Sequence, residues 1–209
     1  GNDGADTLTG GALGDSLNGG AGDDIISGNG GDDYIDAGGE GDRVDGGAGN
    51  DTIVVGENDN NGSNPEHYGS HGDDTYNLSA VDSDTWASFF YDFGTTTPIT
   101  QSVTFTLDMA NGVGAAVKGT PGVTGYEGTD TYTNFGNVFG TYFQGSEQGD
   151  VFNVTTSTDK FIIVRGASGS DTYDVDASAG GSARLDFRNF GFASQGISLD
   201  LSNIATTDV

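Results

Sequence analysis

Apolar residues recur in this chain at a nine-residue spacing that suits neither a long helix nor an ordinary strand. From Gly1 to Val54, position 8 of every nine-residue block is a branched aliphatic: Leu8, Leu17, Ile26, Ile35, Val44 and Ile53. Positions 7 to 9 run outward, inward, outward, as in Thr7-Leu8-Thr9 and Tyr34-Ile35-Asp36, so each block predicts one short strand with a single buried side chain. Such a strand is too short to stand alone and becomes stable only by stacking on copies of itself, which is the logic of a solenoid. Positions 1 to 6 read as loop. Glycines cluster at positions 1, 2 and 4, where the backbone must take positive φ or pass close to a ligand.

A second column keeps the same phase. Position 6 is aspartate in all six blocks: Asp6, Asp15, Asp24, Asp33, Asp42 and Asp51. One Asp-Gly pair is most simply a turn. Six aspartates in step with an apolar column point instead to a hard cation. The whole chain leans the same way. Its 209 residues hold 32 acids against 6 Lys and Arg, a net charge of −26, and glutamate occurs only at 40, 57, 66, 127 and 147. Aspartate suits turns and oxygen-donor metal sites, whereas glutamate is the helix former. With 38 glycines the composition argues against helix throughout. So acidic a chain repels nucleic acid and anionic membranes, so no nucleic acid and no membrane insertion are expected. No apolar run approaches the ~18 residues of a membrane span. The chain has no cysteine, hence no disulfide and no thiolate metal site. It does not begin with Met and residue 1 is already in phase, which reads as a segment cut from something longer.

The blocks GGAGDDIIS and GGAGNDTIV resemble the RTX, or haemolysin-type, nonapeptide GGxGxDxUx. The resemblance is close over 1–54 and fainter beyond. It implies an all-β fold, a right-handed parallel β-roll in which two blocks make one turn and Ca²⁺ ions lie between stacked loops. Blocks 1, 3 and 5 would stack on one edge and blocks 2, 4 and 6 on the other. Calcium takes six to eight oxygens at about 2.3–2.6 Å, and stacked strands repeat at about 4.8 Å, so one ion can reach two position-6 carboxylates. The implied pairs are Asp6/Asp24 and Asp24/Asp42, then Asp15/Asp33 and Asp33/Asp51. Loop carbonyls of Gly1, Gly10, Gly19, Gly22, Gly28, Gly31, Gly46 and Gly49 would complete the shells. Asp23 and Asp32, at position 5, are expected to face solvent. Leu13 and Glu40 replace position-4 glycines and Ala37 a position-1 glycine. A side chain at positive φ costs on the order of 1 kcal/mol, so loops 10–15 and 37–42 should hold the poorest sites.

Residues 55–68 break the period and read as a polar loop insertion. A faint EF-hand-like run there lacks its closing glutamate, and His67 and His71 read as surface loop. The period then returns diluted in GSHGDDTYN (69–77), GYEGTDTYT (125–133), GSEQGDVFN (145–153) and GASGSDTYD (166–174). These add Asp74, Asp130, Asp150 and Asp171 to the candidate metal ligands. Aromatics now fill position 8 (Tyr76, Tyr132, Phe152, Tyr173), which predicts a wider core. A shift of 97 residues maps Gly72, Asp74, Tyr76, Phe90, Phe93 and Gly94 onto Gly169, Asp171, Tyr173, Phe187, Phe190 and Gly191. Val103–Leu107 then matches Ile197–Leu201. The expected organisation is a regular roll at 1–54, the loop at 55–68, an irregular solenoid unit with wider turns at 69–165, and a truncated unit of the same type at 166–209. A separate β-sandwich for 75–209 is the competing fold.

No nucleophile motif, phosphate loop or zinc-protease helix is present, so no catalysis is expected within this segment. Carboxylate pairs among so many acids carry no specificity. Trp86, Phe89, Phe90 and Tyr91 suit a core better than a sugar platform. The expected function is a calcium-dependent structural module of a large secreted or cell-surface bacterial protein, binding several Ca²⁺ ions and folding outside the cell. Two alternatives stay open: an adhesion, surface-layer or filament segment, for which self-association or polysaccharide would be the partner, and an accessory module of a secreted hydrolase, epimerase or lipase.

Overall fold

A computed structural model describes residues 1–56, 65–81, 86–91, 99–134, 139–158, 160–178, 182–185 and 198–200. Its strands form two sheets that share one core, an all-β solenoid of about 7 turns. The first sheet runs β1 (Thr7–Thr9), β3 (Ile25–Ser27), β5 (Arg43–Asp45), β7 (Glu66–Tyr68), β9 (Trp86–Phe90), β13 (Gly140–Gln144), β15 (Phe161–Arg165) and β17 (Ser182–Leu185). The second begins with β2 (Ser16–Asn18), β4 (Tyr34–Asp36), β6 (Thr52–Val54) and β8 (Thr75–Asn77). It continues through β12 (Gly128–Thr133), β11 (Val113–Lys118) and β10 (Val103–Asp108), then β14 (Val151–Thr155), β16 (Thr172–Asp176) and β18 (Ser198–Asp200).

Odd and even blocks therefore stack on opposite edges, in register, with Leu8 beside Ile26 beside Val44 and Leu17 beside Ile35 beside Ile53. The loops stack as well as the strands. Position-4 amides donate to position-3 carbonyls of the next turn, as Gly4 to Ala21 and Gly31 to Ala48. The first turns are thin, and Leu8 and Leu17 are only half-buried against the core. Further along, the inward column changes to His67, Phe89 and Phe143 on one sheet and Tyr76 and Tyr132 on the other. Phe105, Phe152 and Tyr173 stack nearly parallel, with centroids 4.6 and 5.2 Å apart. Strands lengthen from 3 residues to 5 or 6 over the same stretch. The wider core expected from the aromatics is present, and the solenoid continues in place of a separate sandwich.

Three expectations need correction. The second sheet is not parallel throughout: β11 runs antiparallel to both β10 and β12, a meander inserted between β8 and β14. The strict alternation of Val103–Leu107 signals a strand with one buried face, but alternation does not encode strand direction. The interruption after Val55 is shorter than a loop to Tyr68, because Glu66–Tyr68 is strand β7. His67 is consequently in the core, fully buried against Tyr76 and Phe89, and burial holds its imidazole neutral by lowering its pKa to about 3. His71 remains partly exposed, 3.6 Å from a Glu127 carboxylate oxygen. Finally, Leu13 is not among the residues at positive φ, and its side chain is 80 % exposed. Residues 57–64, with the EF-hand-like run, lie outside the described residues, as do Phe93, Gly94, Phe187, Phe190, Gly191, Ile197 and Leu201 of the long repeat.

Candidate metal centre

Glycine has two separate jobs in the loops. Positions 2 and 4 take positive φ: Gly20, Gly38 and Gly47 at position 2, and Gly4, Gly22, Gly31 and Gly49 at position 4. Asn29 and Glu40 are forced into the same region at φ 71 and 78, and Glu40 carries the strain expected of it. Position 1 is different. Its glycines have ordinary φ but no room for a side chain. A Cβ on Gly10 would lie 2.5 Å from the Gly28 carbonyl oxygen and 2.8 Å from Asp15 Oδ2. Gly1, Gly19 and Gly28 meet the same pair, the carbonyl of the next loop and the block's own carboxylate. Ala37, which is not at positive φ, therefore departs from the pattern at a position where the demand on glycine is steric and not dihedral.

Asp6 and Asp15 accept amides of their own loops, from Asn2 and Gly11, on Oδ2, whereas from Asp24 and Asp33 onward Oδ1 of the carboxylate accepts an amide of the preceding turn. Asp6 N–H donates to Asp24 Oδ1 at 2.7 Å and Asp24 N–H to Asp42 Oδ1 at 3.0 Å. On the other edge Asp15 donates to Asp33 at 2.7 Å, Asp33 to Asp51 at 2.9 Å and Asp51 to Asp74 at 2.9 Å. The second oxygen is another matter. Oδ2 of Asp24, Asp33, Asp42, Asp51, Asp150 and Asp171 is buried without a hydrogen-bond partner. These six aspartates are themselves buried. A buried, half-paired carboxylate costs several kcal/mol unless it is protonated or meets a cation. Burial accordingly raises Asp33 and pushes Asp51 and Asp171 up to about 6, Asp42 to about 7 and Asp150 to about 8. Neighbouring aspartate charges add to the rise at Asp33, Asp42, Asp51 and Asp150, while amides donated by the adjacent turn oppose it.

The donor set fits calcium. Carboxylate and carbonyl oxygens converge over the position-1 glycines, and two like partial charges facing each other need a positive partner. Among the described residues no three Asp, Glu or His side chains gather at one point. Backbone carbonyls would therefore have to complete any shell, which calcium accepts and zinc rarely does. Asp6, Asp15, Asp24, Asp33, Asp42 and Asp51 would hold the ions in the regular roll. Asp150 and Asp171 repeat the arrangement: Asp150 N–H donates to Asp171 Oδ1 at 2.9 Å, and Cβ atoms on Gly145 and Gly166 would strike Oδ2 of Asp150 and Asp171.

Asp74 and Asp130 differ. Asp74 N–H donates to Asp130 Oδ1 at 3.3 Å, in step with the column, but the Lys118 ammonium lies beside both carboxylates, 2.5 Å from Asp130 and 3.5 Å from Asp74. Burial and the Asp130 charge hold the Asp74 carboxyl above the usual carboxylate range, with Lys118 pulling it back. Sequence reasoning missed this residue. Its only signal was a lysine closing the strand VGAAVK in a chain with few bases. A second ladder was also missed. Asp23 and Asp32 are exposed as expected, yet each accepts an amide from the next turn, Gly41 at 3.0 Å and Asn50 at 2.9 Å.

The aromatic cluster divides between core and surface. Phe89 and Tyr91 are buried, while Trp86 packs edge-on against Phe139 and Phe161. On the second sheet's outer face a shallow depression of about 280 Å³ is lined by Thr106, Asp108, Asn153, Asp174 and their neighbours. It carries carboxylates but no base.

The sequence matches the RTX calcium-binding nonapeptide repeat (4 copies) in three overlapping registers, residues 1–35, 9–44 and 27–61. Residues 1–61 thus carry RTX calcium-binding repeats, and such repeats imply calcium binding. No curated protein matches the chain. Among solved structures, the solution structure of the AlgE6R3 subunit from the Azotobacter vinelandii mannuronan C5-epimerase is similar at 20 % identity, over 63 % of this chain and 71 % of that one, with a TM-score of 0.32. That likeness is too distant to bear on function.

Proposed function

We propose that this chain is a calcium-dependent folding module of a secreted or cell-surface protein. The observation that carries this reading is the set of six buried aspartates, Asp24, Asp33, Asp42, Asp51, Asp150 and Asp171, each with one carboxylate oxygen lacking a hydrogen-bond partner. Without a cation, those charges and the entropy of the glycine loops oppose the fold. With calcium between the turns, binding energy becomes folding energy. Extracellular modules bind calcium at roughly 10⁻⁴–10⁻³ M, so millimolar calcium outside a cell folds the chain and the low cytosolic level does not. RTX repeat proteins are typically secreted, which suits this coupling.

The proposed ligands are the carboxylates of Asp6, Asp15, Asp24, Asp33, Asp42, Asp51, Asp150 and Asp171, with loop carbonyls. The proposed role is structural: the aspartates in question sit between stacked turns, held by backbone amides of the neighbouring turn. Circular dichroism of the chain with excess chelator and then with millimolar Ca²⁺ tests the reading. A gain of β signal on adding calcium is expected. A fully β-rich spectrum in chelator would sink it.

A further inference from the structure

We propose that the Lys118 ammonium is a resident cation in the aspartate column, filling the place between the turns of Asp74 and Asp130 that a calcium ion would otherwise take. This rests on the calcium reading above and adds a limit to it: the junction between the regular roll and the aromatic part is locked without metal.

The first support is the set of atoms around the nitrogen. Lys118 Nζ donates to the Ser70 carbonyl at 2.5 Å, the Gly72 carbonyl at 2.9 Å and Asp130 Oδ1 at 2.5 Å, with Asp74 Oδ2 at 3.5 Å. Ser70 and Gly72 occupy positions 2 and 4 of the block that ends in Asp74-Thr75-Tyr76-Asn77. Two loop carbonyls and two position-6 carboxylates from successive turns are the oxygens that a calcium ion between those turns would use. An ammonium has three protons to give, and all find oxygen here.

The second support is burial. Lys118, Asp74 and Asp130 side chains are all 0 % exposed. Placing an ammonium there is prohibitively costly unless oxygens replace its water. No surface ion pair needs such a shell. The third is contrast along the column. Oδ2 is unpartnered and buried in Asp24, Asp33, Asp42, Asp51, Asp150 and Asp171, but not in Asp74 or Asp130. Asp130 Oδ2 instead accepts the Tyr91 hydroxyl at 2.5 Å. Among the buried position-6 aspartates, the pair beside the lysine is the pair with no orphaned oxygen, the Ser70 hydroxyl adding a contact to Asp74 Oδ2 at 3.5 Å; the half-buried Asp6 and Asp15 at the open end accept amides of their own loops instead.

Topology explains why this happens here. Among the described strands of the second sheet β11 alone runs against its neighbours, and Lys118 is its last residue, paired with Gly128 and Val103. Reversal brings that end of the strand to the loop edge, where parallel strands would present position 6. On the far side of the meander Val103 occupies the aspartate's place and only donates its amide to Asp150 Oδ1, at 2.6 Å. The insertion thus interrupts the carboxylate column and supplies its own positive charge.

Calcium counting by equilibrium dialysis at saturation, on the wild-type chain and K118M, tests the proposal. K118M is expected to bind one ion more per chain. A folded K118M with the wild-type count overturns it. Should K118M fail to fold at any calcium level, hydrogen exchange on the wild type decides. In metal-free buffer, Val113–Lys118 and Gly128–Thr133 should stay protected after β1–β6 have exchanged. If all these strands exchange together there and are protected together by calcium, the resident cation is refuted while the calcium reading stands. If neither count nor exchange responds to calcium, both fall.

Discussion

Strands β1 to β6 each turn one side chain inward, whereas β9, β14, β15 and β16 turn two, and β10 turns three. The early turns bury Leu, Ile and Val singly. The later ones bury stacked rings, Phe89 on Phe143 at 4.9 Å and Phe105 on Phe152 at 4.6 Å. At about 25 cal/mol per Å² of apolar burial, a Phe or Tyr contributes more than a Val before any ring–ring preference is added. The same solenoid is thus held in two ways. Near Gly1 it depends on what lies between the loops, and beyond Glu66 increasingly on what lies between the sheets. The lesson is that a period can persist while the term that stabilises it changes.

The comparison breaks most visibly if protons can do what calcium does. Carboxyls whose folded pKa is raised stabilise the fold when protonated. That contribution is complete below the ordinary value of 3.8 and fades as pH climbs through the raised values: about 6 for Asp51 and Asp171, 7 for Asp42 and 8 for Asp150. In metal-free buffer the thermal midpoint should therefore be higher near pH 4 than at any pH above it and fall steadily toward pH 8. In millimolar calcium the trend should reverse, because the ion needs deprotonated ligands. A metal-free midpoint that rises with pH would count against unpaired buried carboxyls.

Core truncation sharpens the contrast next. Phe152→Ala should cost about 3–5 kcal/mol in urea unfolding at saturating calcium, against about 0.5–1.5 kcal/mol for Ile35→Val in the roll. Equal losses would mean that the aromatic ladder adds little. Smaller effects come from the loops. Gly28→Ala sets a methyl against Asp33 Oδ2 and the Gly46 carbonyl, and overpacking of this kind costs about 1–3 kcal/mol. Its calcium titration midpoint should move upward as well. Gly39→Ala meets nothing within 4 Å and should stay within about 0.5 kcal/mol of wild type, which makes it the matched control. Smallest of all, Glu40→Gly removes a side chain from φ 78 and should gain at most about 1 kcal/mol. A loss would show that Glu40's own contacts outweigh its strain.

Much of this molecule is written in its period. Position along a solenoid is position along the chain modulo the repeat, so the columns at positions 6 and 8 marked the strand limits and the widening of the core at Tyr76, while the two edges and the pairing of Asp6 with Asp24 and Asp15 with Asp33 were what the resemblance to RTX repeats implied. Local chemistry was legible for the same reason, since each loop repeats its neighbour's environment. The structure alone decided whatever is not periodic. Position 1 needs glycine because a carboxylate and a carbonyl from separate turns meet there, which no dihedral rule reports. His67 enters the core because β7 resumes the phase after the interruption. Lys118 reaches Asp74 and Asp130 because β11 reverses, bringing a charge 44 residues away in sequence within 3.5 Å. Sequence patterns encode neighbours that recur. A contact made once, by a strand running the other way, exists only after the chain has folded.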